Sequence, residues 1–291
     1  MDFYTFTSTL STFTLMLQES QALWLTIGTI FSLLMGSFLN LVIGRLPKAM
    51  HKEWQQDCRL LLELDKDNTQ PTRPALATIA WPGSHCPSCK TPLKAWHNIP
   101  VASYLLLKGQ CAFCSITISP RYPLVELLTA GLGLLVAWVL GPNWQGIAGL
   151  VLVYFLIAMT FIDLDHKLLP DQLTLPLMWL GLVCNALSVF TSLENAFWGA
   201  VAGYMSLWLV YWGFRLVTGK HGMGYGDFKL LAALGAWMGW QALPSIVVIA
   251  AVAGLLVGLY LRLRQGPTDP QIPFGPFLAM GGLAYLLWAG F

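Results

Sequence analysis

Two aspartates stand at the edges of apolar runs. Asp163 ends the run GLVLVYFLIAMTFI (149–162), and Asp227 closes the tetrad Gly224-Tyr225-Gly226-Asp227, just before the run that begins at Leu230. A carboxylate at the rim of a hydrocarbon span is costly, so its presence is read first as function. Two carboxyls brought within a few Å cannot both be charged cheaply and tend to share one proton. One then acts as general base on water. The other protonates a carbonyl oxygen and later the leaving amine. That is amide hydrolysis without a metal or a covalent intermediate. No G-x-S-x-G elbow and no H-E-x-x-H helix offers a competing protease chemistry. Gly224 and Gly226 add no side-chain bulk, so another chain can come close to Asp227.

Other acidic residues nearby have plainer readings. Asp171 follows Pro170 and suits a helix N-cap. Asp165 sits in a short polar turn, solvated or paired with Lys167. Glu126, about one turn into an apolar run, could face a cationic sulfonium or a substrate amine, or pair with a nearby basic group.

Cys86-Pro-Ser-Cys89 and Cys111-Ala-Phe-Cys114 form two CxxC knuckles, which together offer a closed tetrahedral sulfur shell to one zinc ion. A closed shell keeps no position for water, so this metal folds a loop and does not catalyse. A pair of disulfides is the alternative, and a cytoplasmic setting argues against it. Cys184 lies in an apolar run as a packing residue, and Cys58 has no assigned role.

These groups must be positioned by membrane helices. The chain is 56% hydrophobic and 10% charged, far from a soluble composition. Apolar runs at roughly 22–44, 122–141, 145–162, 173–191, 196–214, 229–243, 244–261 and 273–290 are each long enough, or nearly so, to cross a bilayer. The fold expected is an all-α polytopic membrane protein of about eight transmembrane helices with a zinc-stapled cytoplasmic loop domain. In that arrangement all 16 Lys and Arg residues fall on one side, which is therefore cytoplasmic. The net charge of +2 is then a topology signal and gives no case for nucleic-acid binding. The first 20 residues lack a basic stretch and do not read as a cleaved signal peptide, so the first span is expected to stay as an anchor with the N-terminus outside. Three regions follow: 1–45 with the first span, 46–121 as the zinc-binding loop domain, and 122–291 as the membrane peptidase domain. Residues 51–65 suit an amphipathic surface helix, and 67–74 a loop.

The set of motifs resembles the type IV prepilin peptidase family. The resemblance runs from Gly36-Ser37-Phe38-Leu39-Asn40 and Arg45-Leu46-Pro47 through the four-cysteine loop and Arg121-Tyr122-Pro123-Leu124-Val125-Glu126 to the two aspartate motifs. It implies a bifunctional enzyme of the bacterial inner membrane. Asp163 and Asp227 would cleave the basic leader of prepilins and type II secretion pseudopilins after a glycine, at the cytoplasmic face. The new N-terminal residue would then be methylated from S-adenosylmethionine. The methyl-donor or substrate contacts are placed on Gly36, Lys108, Glu126, Gly224 and Gly226. A Gly-x-Gly-Asp peptidase without methyl transfer is the first alternative, and an ion-coupled transporter the second. The sequence leaves open which pilins are processed and the oligomeric state.

Overall fold

A computed structural model describes residues 20–62, 74–80, 83–86, 88–220, 222–265 and 272–289. The expected outside N-terminus and the 67–74 loop lie largely outside the described residues. The described residues form ten α-helices. They are α1 (Gln21–Leu61), α2 (Ala77–Ala80), α3 (Ala102–Leu106), α4 (Arg121–Leu140), α5 (Trp144–His166), α6 (Asp171–Ala186), α7 (Leu193–Thr218), α8 (Tyr225–Met238), α9 (Leu243–Gln265) and α10 (Gly275–Trp288). Each expected apolar run overlaps one of these helices, but the run at 173–191 passes beyond the end of α6 at Ala186 and the run at 229–243 passes beyond the end of α8 at Met238. Among the described residues five helices are long and apolar enough to cross a membrane: α1, α4, α5, α7 and the Trp240–Arg264 stretch that takes in most of α9. The chain is a multi-pass membrane protein.

One expectation changes. The first span and the surface helix at 51–65 are not separate, because α1 runs unbroken through Pro47 to Leu61. An interior proline removes one helical hydrogen bond and crowds the preceding turn. Tertiary contacts hold the helix across it. Leu46 is fully buried. The Arg45 guanidinium donates to the carbonyls of Thr78, Ile79 and Gly83, and Glu53 accepts the amide of Ala75. At 1.5 Å per residue α1 is about 60 Å long, roughly twice a hydrocarbon core.

The chain divides into two compact units. One is Phe31–Gly131, and the other joins the residues up to Ile30 with those from Leu132 onward. The larger unit is built around α8. Every residue of α8 from Asp227 to Met238 except Lys229 is buried. A helix apolar on all sides belongs in a core. At 14 residues α8 is about 21 Å long, and surrounded by protein it has no need to match the bilayer.

Glycines set how closely its neighbours approach. A Cβ at Gly199 of α7 would sit 2.3 Å from the Gly235 carbonyl oxygen, and one at Gly203 2.6 Å from that of Leu231. Gly281 and Gly282 of α10 meet Ile246 and Leu234 in the same way. These are packing contacts within the protein, whereas Gly131 faces open space. The C-terminal end of α8 is tied by Asn185, whose amide nitrogen donates to the carbonyls of Ala236 and Trp237 while its oxygen accepts from Phe190 and Thr191.

Candidate active site and metal centre

Asp163 sits in the last turn of α5 and is 5% exposed. Asp227 is the third residue of α8 and is 7% exposed. Among the described residues neither carboxyl forms an ion pair with a basic side chain. The Asp163 Oδ2 accepts a hydrogen bond of 3.0 Å from the main-chain amide of Gly275 at the start of α10. The two carboxyls lie within electrostatic range of each other. Leu169, from the loop between α5 and α6, is packed against Gly226, the neighbour of Asp227, and against Gly275, the partner of Asp163. A Cβ at Gly226 would come 2.7 Å from Leu169 Cβ, and one at Gly275 would come 2.5 Å from Asp163 Oδ2 and 3.1 Å from Leu169 Cδ1. So α5, α8 and α10, distant in sequence, deliver two acids and a main-chain donor to one buried place. Two unpaired carboxyls in such surroundings can exchange protons with a water and an amide.

The glycines of the tetrad divide their roles. Gly226 gives its space to Leu169, not to an incoming chain. Gly224, by contrast, is loosely surrounded: a Cβ there would meet Asp227 Oδ2 at 3.8 Å and the Gly226 amide nitrogen at 4.0 Å, both ordinary contacts. Asp171 is also placed differently from expectation. Pro170 occupies the N-cap, and Asp171 is the first helical residue, bonded through both oxygens to Lys229 Nζ at 2.6 and 2.8 Å. Asp165 is exposed in the last turn of α5. Gly275 was not among the residues singled out by the sequence. The signal that marks it is Pro273-Phe-Gly-Pro276 opening an apolar run, a helix start with a proline in its first turn.

In the smaller unit the four cysteine sulfurs lie within 4.8 Å of one another. Cys86 Sγ and Cys114 Sγ are 3.8 Å apart. Four sulfurs at about 2.3 Å from a tetrahedral zinc are about 3.8 Å from each other, so the set fits that ion. The two knuckles share one backbone design. The Lys90 amide donates to the Cys86 carbonyl at 2.9 Å and the Ser115 amide to that of Cys111 at 3.0 Å. Each knuckle closes on a residue of positive φ, Lys90 at 55° and Ser115 at 56°. Each is flanked by one isolated bridge, His85 to Pro92 and Gln110 to Thr117. No repeat is visible in the residue types, because only the cysteines recur.

Hydrogen bonding to Thr91 brings the Cys89 thiol down to about 6, and backbone hydrogen bonds at Phe113 and Cys114 lower that of Cys111. Cys114, despite a backbone hydrogen bond at Ile116, is pushed up to about 11 by desolvation and its neighbouring sulfurs. Thiolates are the ligating form, and a cluster still holding a proton is one that a cation completes.

Gly36, Lys108 and Glu126 all lie in this smaller unit. A Cβ at Gly36 would sit 2.7 Å from Glu126 Cα, so this glycine serves the close approach of α1 and α4. Glu126 is buried, and its Oε2 accepts the Val101 amide at 2.8 Å with Ser37 as a second partner. Val101 has φ 58°, where a β-branched residue is strained, and Glu126 holds it there. Lys108, at φ 50° and exposed, begins the turn into the second knuckle.

The comparisons with known proteins follow this division. Residues 30–140 match the Bacterial Peptidase A24 N-terminal domain, and residues 150–259 match the Type IV leader peptidase family. The chain belongs to that family. A Prepilin leader peptidase/N-methyltransferase of Stutzerimonas stutzeri is 52% identical over 89% of this chain and 89% of its own. Relatives of the same description in Pseudomonas aeruginosa and Neisseria gonorrhoeae are 51% and 47% identical. They cover 89% and 88% of this chain and 88% and 87% of their own. No solved structure matches. As a type IV leader peptidase family member, the chain carries its acidic pair within the second matched region and its four cysteines within the first.

Proposed function

We propose that this chain is a prepilin leader peptidase and N-methyltransferase. It cleaves the leader from type IV prepilins and pseudopilins and then methylates the exposed N-terminal residue. The observation that carries the peptidase half is the convergence of Asp163 and Asp227, from separate helices, as two buried carboxyls with no ion pair among the described residues. The names of the relatives support both halves.

In the proposed mechanism one carboxyl takes a proton from water and its partner protonates the scissile carbonyl. A prepilin places its leader in the cytoplasm and its apolar helix in the bilayer, which brings the scissile bond to the inner membrane face. Both aspartates lie near helix ends, Asp163 in the last turn of α5 and Asp227 in the first turn of α8. That placement supports an orientation with the N-terminus outside, and with the active site and knuckles inside. The clustering of basic residues supports it further. It leaves the processed site after a glycine at the inner lip of the bilayer.

Zinc would be held by Cys86, Cys89, Cys111 and Cys114 as a structural ion, since four sulfurs complete its shell. The methyl donor would be S-adenosylmethionine, which supplies a methyl cation equivalent to the new amine. We assign its binding to the smaller unit. There Lys108 is free in space for an anionic group, while Glu126 and Gly36 keep the framework in place. Gly224, which sets no side chain beside Asp227, would take the substrate backbone.

The test is a purified reaction with a prepilin, with and without S-adenosylmethionine, read by mass spectrometry. A cut after the leader glycine and a single added methyl on the new N-terminus are expected. An uncut prepilin sinks the proposal, and a cut without a methyl reduces it to a peptidase.

A further inference from the structure

The start of α10 has an unusual economy of donors. The first amides of a helix have no partner within it. Here Pro276 has no N–H at all. Phe277 and Leu278 both donate back to the Phe274 carbonyl, at 3.0 and 3.2 Å. The N-cap residue, Phe274, offers no side-chain hydrogen bond to cap this end. The one amide turned outward is that of Gly275, and it meets Asp163 Oδ2 at 3.0 Å. The contact is buried, and glycine is required for it. A Cβ at position 275 would come 2.5 Å from the same oxygen. A proline on the other side of Gly275 and Leu169 against it leave this amide little freedom to turn away.

We propose that the Gly275 amide is a working part of the peptidase site. It holds Asp163 through Oδ2, fixes the plane of that carboxyl, and leaves Oδ1 as the oxygen that meets water. The inference rests on the aspartate-pair reading above and assigns the roles within it. Asp163 is the base and Asp227 the acid. The water oxygen bonds to the scissile carbonyl carbon as Asp163 Oδ1 takes its proton. The carbonyl oxygen receives the proton held by Asp227. On collapse the C–N bond breaks and nitrogen leaves with the proton returned by Asp163. A hydroxyl proton of the diol goes back to Asp227. Atoms and charges balance, and both acids end as they began. The leaving amine is thus served by Asp163 and not by its partner. Gly275 touches no substrate atom, so it is a positioning residue.

The direct test replaces the Gly275 amide with an ester by installing glycolic acid at position 275 of the full chain, which removes one hydrogen and adds no bulk. We expect kcat for prepilin cleavage to fall about tenfold, as for one lost hydrogen bond to a charged group. KM should stay within twofold, and so should methylation of an already cleaved pilin. Unchanged kcat overturns the proposal. So does an equal loss of cleavage and methylation, which marks the bond as merely structural. Gly275→Ala is the second arm. It should lose more cleavage than the ester and keep methylation, and an Ala variant with full cleavage overturns the proposal as well. The unsubstituted chain and Asp163→Asn run alongside. If the former fails to cut, or the latter cuts, the aspartate-pair reading itself has fallen, and Gly275 falls with it. If both controls behave, the outcome at position 275 stands alone.

Discussion

The four cysteines come from two short stretches of one loop region, and a single pattern of backbone hydrogen bonds, used twice, points them inward. The two aspartates come from helices far apart in the chain, and what joins them is packing: Leu169 against Gly226 and Gly275, glycines against carbonyl oxygens, and one main-chain amide. The first site is made locally, with four sulfurs set for one ion. The second is made by the fold, with burial and one main-chain amide as its setting. A knuckle therefore fails when a ligand is lost, whereas the acidic pair is vulnerable to any change that shifts a helix.

The largest expected effect lies in the acids themselves. Asp163→Asn and Asp227→Asn keep the shape and remove the proton chemistry, so each should lower prepilin cleavage by about a thousandfold or more. Zinc content and methylation of a cleaved pilin should stay near normal, since the proposed zinc and methyl-donor sites lie in the other unit. Near-normal cleavage by either variant, measured on the same prepilin, would falsify the pair.

The converse experiment breaks the knuckles. Cys86→Ser with Cys89→Ser should release bound zinc, read by elemental analysis. It should open residues 83–118 to protease, because in such small sites binding free energy is folding free energy. Both activities should decline, with methylation about tenfold further down than cleavage. A variant that keeps one zinc per chain removes these cysteines from the metal site.

The contrast also explains what the sequence could reveal. Spacing within a short stretch makes the four cysteines legible, and the cost of a carboxylate in an apolar setting makes Asp163 and Asp227 legible. Each of the eight apolar runs overlaps a helix, although those at 173–191 and 229–243 pass beyond the helix ends. What escapes is what depends on partners far along the chain. The α1 helix continues past Pro47 because Leu46 is buried and Arg45 and Glu53 find hydrogen-bond partners at Thr78, Ile79, Gly83 and Ala75, which no local pattern around Pro47 announces. Gly226 looks like an opening for substrate until Leu169 is seen to fill it. The Gly275 contribution is an amide, and residue type says nothing about where an amide points.

Packing predicts a smaller loss, confined to stability. Gly235→Ala would set a Cβ 2.1 Å from the Gly199 carbonyl oxygen, so α7 and α8 would have to separate. Overpacking of this kind costs about 1–3 kcal/mol. The thermal midpoint in detergent should drop while zinc content stays the same. At permissive temperature cleavage should fall more than methylation, because α8 carries Asp227. If the midpoint does not move, the close approach of α7 and α8 is not holding the bundle.

The smallest effect is expected at Asp171 and Lys229. The pair ties the start of α6 to the start of α8, just beyond Leu169, and it looks like a brace for the acidic pair. Its setting argues for a modest role. The side chains are 52% and 28% exposed, so water screens much of the attraction. Asp171 also sits in the first turn of α6, where a negative charge is favoured by the helix end even without Lys229. A double-mutant cycle with Asp171→Asn and Lys229→Met should therefore give a coupling of about 0.5 kcal/mol. Cleavage by Asp171→Asn should stay within about threefold of the unsubstituted chain, since the hydrogen-bonding shape is kept. A loss approaching that of Asp163→Asn would mean that a third carboxylate takes part in the chemistry. The fold would then be presenting three acids where two suffice to balance the protons.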